Sequence, residues 1–64
     1  MNREILSRFL NKEVEVIYWD RDEREEVVVE GILIDIENEF VVVDYNDGVS
    51  RIFIGDLRNV ELLE

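Results

Sequence analysis

The chain contains no cysteine, no histidine and no proline. Without cysteine no disulfide can form, and without cysteine or histidine a zinc site lacks its usual donors. That matters in a chain of 64 residues. A domain of this size buries only about 60% of the surface its unfolded chain exposes, and disulfides, metals or oligomerisation usually make up the difference. Of these aids, oligomerisation is the one left open. Long apolar runs are also missing. The longest span three or four residues, as in Ile32-Leu33-Ile34 and Phe40-Val41-Val42-Val43, against the roughly 20 that a membrane span needs. The N-terminus lacks a basic, apolar, small-residue signal pattern. A cytoplasmic chain with no membrane partner is the expectation.

Positive charge is scarce too. Seven basic residues, six of them arginine, face seventeen acidic ones, for a net charge of −10. Phosphate neutralisation by Lys and Arg supplies most nucleic-acid affinity, so bulk electrostatic capture of RNA is disfavoured. What is present is globular in kind: 47% apolar residues, rich in Val, Ile and Leu. One domain over residues 1–64 is expected.

The spacing predicts a helix over about residues 2–10. Ile5, Leu6, Phe9 and Leu10 fall on one face. Asn2 suits the N-cap and Asn11 a left-handed stop. Five strands follow, at about 13–19, 27–37, 40–45, 49–54 and 59–63, rich in β-branched and aromatic residues. The charged run Asp20 to Glu26 reads as a loop or a solvated hairpin tip. Asn46-Asp47-Gly48 is a hairpin signal, with Asp-Gly suited to the positive φ angles of a tight turn. Gly31 sits mid-strand, where glycine marks a bend or bulge. On the second strand Val28, Ile32, Ile34 and Ile36 fall on one face and Val27, Val29, Gly31 and Leu33 on the other. Both faces therefore read as covered, one of them by the helix. The fold class is mainly β: a short N-terminal helix and a five-stranded, strongly bent antiparallel sheet forming a small barrel.

Few residues suggest chemistry. Ser7 and Ser50 lie near no plausible base, and Lys12 is the only lysine. Asp35 and Glu37 could be imagined as an acid–base pair, but alternate residues entering a turn explain them more simply. No enzyme activity, catalytic residue or cofactor is expected. Asp20, Asp22, Glu23, Glu25 and Glu26 resemble a hard-cation cluster. Arg21 and Arg24 interrupt it and the EF-hand spacing fails, so no metal site is assigned. Among the aromatics, Phe40 and Phe53 read as core. Trp19 and Tyr45, beside turns, are candidates for stacking on bases or on a protein partner.

The order of elements resembles the Sm/LSm family, including its Hfq-like small β-barrels, over nearly the whole chain. Gly31-Ile32-Leu33-Ile34-Asp35-Ile36-Glu37 is similar to the first Sm motif, with Glu37 where the family has Asp. Phe53-Ile54-Gly55-Asp56-Leu57-Arg58-Asn59-Val60 is similar in spacing to the second. The resemblance implies RNA binding, but its contact positions depart. The uridine-binding Asn aligns with Val41, and the basic residue of the second motif falls at Ile54. Asn38, Tyr45, Asn46, Arg51 and Arg58 are the remaining candidates for RNA or partner contacts. Gly31, Glu37, Gly48 and Gly55 are structural positions.

The resemblance also implies rings in which the fourth strand of one subunit pairs with the fifth of the next. The apolar residues of Ile52-Phe53-Ile54 and Val60-Glu61-Leu62-Leu63 suit that pairing, or equally the closure of the chain's own barrel. A ring of six or seven copies would carry roughly −60 to −70, a field that opposes nucleic acid. Two functions stand: an Sm-like subunit of a homo-oligomeric ring, RNA-associated or not, and an acidic protein-interaction or scaffolding module. An SH3-like or Tudor-like barrel is the rival fold, told apart by whether a leading helix crosses the barrel's open end.

Overall fold

A computed structural model describes residues 1–63. The elements run α1 (Arg3–Leu6), a 3₁₀ turn (Ser7–Phe9), β1 (Glu13–Asp20), β2 (Glu25–Ile36), β3 (Phe40–Tyr45), β4 (Gly48–Phe53), a second 3₁₀ turn (Ile54–Asp56) and β5 (Leu57–Leu62). No helix among the described residues is long and apolar enough to cross a membrane.

Asn2 caps α1 as the sequence suggests: its Oδ1 accepts the Ile5 N–H at 2.8 Å. The α-helix then stops after four residues instead of running to Leu10. The Ser7 hydroxyl donates to the Glu4 carbonyl at 2.7 Å, a back-bond that competes with helical continuation. The chain tightens into the 3₁₀ turn, which brings i and i+3 into line. Leu6 and Phe9 are thereby turned to the core, whereas Ile5 and Leu10, expected on the same face, are exposed. Asn11 takes the left-handed conformation (φ 64°). Its N–H reaches the Leu33 carbonyl at 2.6 Å, and the Leu33 N–H reaches Lys12 O at 3.1 Å. These bonds pin the helical segment to β2.

The five strands form one antiparallel sheet in the order β4-β3-β2-β1-β5. The charged run is a hairpin tip, as one of its two readings had it, but its two ends, Asp20 and Glu25-Glu26, belong to the strands. The ladder continues to Trp19↔Glu26 and Asp20↔Glu25, leaving Arg21 to Arg24 as the hairpin tip. Asp20 Oδ1 accepts the N–H groups of Asp22 and Glu23, a side chain substituting for turn backbone. The expected start of β2 at 27 and of β5 at 59 therefore each move back by two residues. β4 begins one residue earlier than expected and ends at Phe53, because Ile54 enters the 3₁₀ turn.

β2 changes partner along its length. Glu25 to Ile32 pair with β1, and Ile32 to Ile36 pair with β3. Gly31 stands at this handover. A Cβ there would collide with the Asp44 carbonyl oxygen and lie 2.7 Å from Tyr45 Cβ. Gly31 is thus required for close approach of β3. The bulge itself lies at Ile34, between the Leu33↔Val43 and Asp35↔Val42 pairs. It shifts the alternation by one, so Ile36 turns towards the core and parts from Val28, Ile32 and Ile34. Those three lie bare on the outer face, which the helix does not cover. A second bulge sets Arg58 out of register on β5.

The curled inner face holds Leu6, Val14, Val16, Val29, Leu33, Val41, Val43, Ile52, Leu57 and Val60, all buried. Each such side chain contributes about 1.5–3 kcal/mol relative to exposure. The sheet is not closed: β4 and β5 are its two edges and do not pair with each other.

Candidate functional site

The helix, the β2–β3 turn and the second 3₁₀ turn meet at one end of the sheet. The Ile54 N–H donates to Glu39 O at 2.8 Å, and the Glu37 N–H donates to Phe40 O at 2.7 Å. Arg3 Nη1 donates to Asn38 Oδ1 at 3.4 Å. A cleft of about 370 Å³ lies between them, lined by Arg3, Asn38, Glu39, Phe53, Ile54 and Gly55 among others. Two positions singled out in the sequence, Asn38 and Gly55, come together here. Gly55 is held against the Phe53 ring, which a Cβ would strike.

Glu37 and Arg51 meet beside this cleft. Arg51 Nη2 lies 2.8 Å from Glu37 Oε1 and its Nε donates to the same oxygen at 2.9 Å. The guanidinium lies 4.5 Å above the centroid of the Phe40 ring. Asp35 accepts the Ile36 N–H at 2.8 Å, whereas Glu37 is engaged by Arg51.

The remaining candidates are scattered. Tyr45, Asn46 and Gly48 lie at the opposite end of β3, about 17 Å of strand away from Phe40. The turn there places the positive φ angles on Asn46 (54°) and Asp47 (61°), not on Gly48. The Tyr45↔Gly48 pair closes it. The expected Asp-Gly turn is shifted by one residue, since Asn and Asp tolerate the left-handed region. Ser50 Oγ donates to Tyr45 Oη at 3.4 Å. Arg58 lies 6.0 Å from the centre of the Trp19 ring. Ser7 and Ser50 thus both spend their hydroxyls on local hydrogen bonds.

One cluster was not visible in the sequence. Phe40 and Phe53, expected in the core, are only half-buried and meet edge to face, 5.8 Å apart at 68°. They pair across β3 and β4 on the outer face, opposite to that of Val41 and Ile52. Arg51 covers one ring and Arg21 the other, at 5.2 Å. Arg21 reaches from the β1–β2 tip to Asp56, with Nε 3.1 Å from Oδ1. A shallow groove of about 360 Å³ runs alongside, bordered by Tyr18, Trp19, Phe40 and Arg51. The Tyr18 phenol is pushed up from its ordinary value, first by burial, then by Tyr45 and Asp20. The uniformly apolar run Phe40-Val41-Val42-Val43 gave no alternation from which the outward turn of Phe40 could be read. The Arg21–Asp56 contact, 35 residues apart, was not readable either.

Among the described residues the two ion pairs are Arg21–Asp56 and Arg51–Glu37. Both guanidinium groups in this region are therefore matched by carboxylates. The arrangement offers packed aromatic surface and neutralised charge, which suits binding. No protein-family model matches the chain, and no curated protein or solved structure matches it either.

Proposed function

We propose that the chain is an Sm-like small-barrel subunit that assembles edge to edge into a homo-oligomeric ring. One observation carries this reading. The five-stranded antiparallel sheet is not closed, and β4 and β5 each pair on one side only. An unpaired edge is a template for another strand. Pairing β4 of one copy with β5 of the next satisfies both edges at once, and a heterologous contact of that kind gives a ring when the rotation between copies closes and an open filament when it does not. Val49 on β4 and Leu62 on β5 are exposed beside these edges. The order of the strands and the leading helix are consistent with the motifs around Gly31 and Phe53.

The test is light scattering coupled to size exclusion. The expected mass is a small-integer multiple of 7.7 kDa, and Leu62→Lys should lower it by placing a charge at the edge. A 7.7 kDa monomer at high protein concentration would refute the ring.

A second reading, an acidic protein-binding module without nucleic acid, is favoured by the net charge of −10 and by the carboxylate partners of Arg21 and Arg51. Fluorescence polarisation with oligo-U and oligo-A at low salt separates it from an RNA role. No binding is expected. Micromolar binding that weakens steeply with salt would reinstate RNA.

A further inference from the structure

The outer face of β2 carries a bare apolar stretch: Val28 is 56% exposed, Ile32 42% and Ile34 39%. Side chains directly opposite in an antiparallel pair share a face. The opposite face holds Val14, Val16, Val29 and Val60, all buried, so the intervening residues point outward. Along the strands this outer face is banded. Val28 stands across from Ile17, which stands across from Asn59. One step on, Glu30 stands across from Glu15, and Glu15 across from Glu61. One step further, Ile32 stands across from Glu13. A row of three carboxylates on three adjacent strands is thus flanked by Val28 and Ile17 on one side and, on β2, by Ile32 on the other, where β1 adds a fourth carboxylate, Glu13.

Like charges directly opposite destabilise a sheet, and here Glu15 has one on each side. Asn59 Nδ2 donates to Glu61 Oε1 at 2.9 Å. No basic side chain forms an ion pair with Glu15 or Glu30 among the described residues. No three acidic side chains among those residues are set to hold a metal ion. We propose that the outer face of β2, β1 and β5 docks a basic amphipathic helix of a partner protein.

Charge chooses the occupant. A second copy docked face to face would set Glu15, Glu30 and Glu61 against the same carboxylates of its partner, a clash that edge-to-edge strand pairing avoids, and nucleic acid is repelled by them. Cationic side chains between apolar ones complement the bands. Dimensions agree. Three strands about 4.8 Å apart make the row about 10 Å wide, the diameter of a helix. Rows on one face recur about every 6.6 Å, close to the ~6 Å from residue i to i+4 of a helix. A helix lying along β2, with apolar residues four positions before and after a Lys or Arg, meets Val28, Glu30 and Ile32 in turn, and a further cation one turn on can reach Glu15 or Glu13. The inference supplies a partner class for the protein-binding reading. It does not depend on the ring, because strand addition at β4 and β5 uses backbone groups in the plane of the sheet.

The test is an NMR titration of the ¹⁵N-labelled chain with a helical peptide about 18 residues long, with leucine and lysine alternating at every fourth position. A glutamate counterpart of the peptide and oligo-U serve as parallel probes. Saturable shifts confined to β1, the Glu25 to Ile32 part of β2, and β5 are expected with the lysine peptide alone. Glu15→Gln with Glu30→Gln should weaken binding about tenfold or more, and Ile32→Ser with Val28→Ser should do likewise. Asp22→Asn with Glu23→Gln removes the same charge at the hairpin tip and should change affinity less than about twofold. Equal losses from the face and tip variants would reduce the effect to bulk charge and overturn the proposal. Shifts scattered over the surface, absence of saturable binding, indifference to the apolar substitutions, or the same shifts with oligo-U would overturn it as well. The shift map on the unaltered chain needs no variant to fold. Light scattering on the same samples reports the ring separately, so failure of one reading is distinguishable from failure of the other.

Discussion

Single atoms decide much of this molecule. At Gly31 the missing Cβ lets the end of β3 cross β2 against the Asp44 carbonyl. A backbone carbonyl cannot rotate away as a side chain can. Gly31→Ala should therefore destabilise the fold by about 1–3 kcal/mol, in the range of other overpacked sites. The change should show as a lower urea midpoint with an unchanged slope. A midpoint equal to that of the parent chain would mean that β3 can give way. Tyr18 makes a different prediction. Its phenol is raised above the ordinary 10.0 by burial, Tyr45 and Asp20, so the folded chain favours the neutral form. Its contribution is intact below about pH 10 and is lost as pH rises through the folded value. Urea midpoints measured from about pH 9 to about pH 11 should fall for the parent chain and fall less for Tyr18→Phe. Parallel curves would exclude Tyr18 as the source of alkaline lability.

At the level of elements, the weakest is α1. Four residues of α-helix cannot persist in water alone, and Leu6 is the anchor that is completely buried. Leu6→Ala should cost about 2–5 kcal/mol. A domain of this length commands only some 3–10 kcal/mol in total. The variant should therefore populate the unfolded state measurably at 25 °C, as read by circular dichroism in a urea titration. The strands were the legible part of the sequence: β-branched runs between turn residues place β3 at its observed limits. The helix length was not legible, since the pattern of Ile5, Leu6, Phe9 and Leu10 does not reveal that Ser7 will bond back to Glu4. The start of β2 was hidden because Glu25 and Glu26 look like loop residues until Trp19 and Asp20 lie opposite. The inward turn of Ile36 was hidden by a bulge that depends on β3. Of the candidate positions, Asn38 and Gly55 converge because two turns share a hydrogen bond, which adjacency in sequence could not disclose. Tyr45, Asn46 and Arg58 were chosen by type, and the bends of the sheet carry them elsewhere.

For the whole molecule, charge is the dominant property. A net −10 on 64 residues repels itself in the compact state, and rows such as Glu30–Glu15–Glu61 concentrate the repulsion. Salt should stabilise the fold. Between about 0.01 and 0.15 M NaCl the screening length shrinks from roughly 30 to 8 Å. The thermal midpoint should rise by about 5 °C, equivalent to about 1 kcal/mol. A midpoint that falls with salt would show that attractive pairs outweigh repulsive ones.

The strand order has a further consequence, in time. Every neighbouring pair in the sheet joins consecutive strands except β1 with β5. Three hairpins can zip locally, each closing a short loop. The β1–β5 ladder, from Val14↔Leu62 to Tyr18↔Leu57, must close a loop of some 40 residues, at an entropic cost that grows with its length. The meander of β1 to β4 should therefore form first, with one side of β1 bare. During synthesis the earliest strand waits for the latest, and in that interval the exposed edge belongs to β1 rather than to β5.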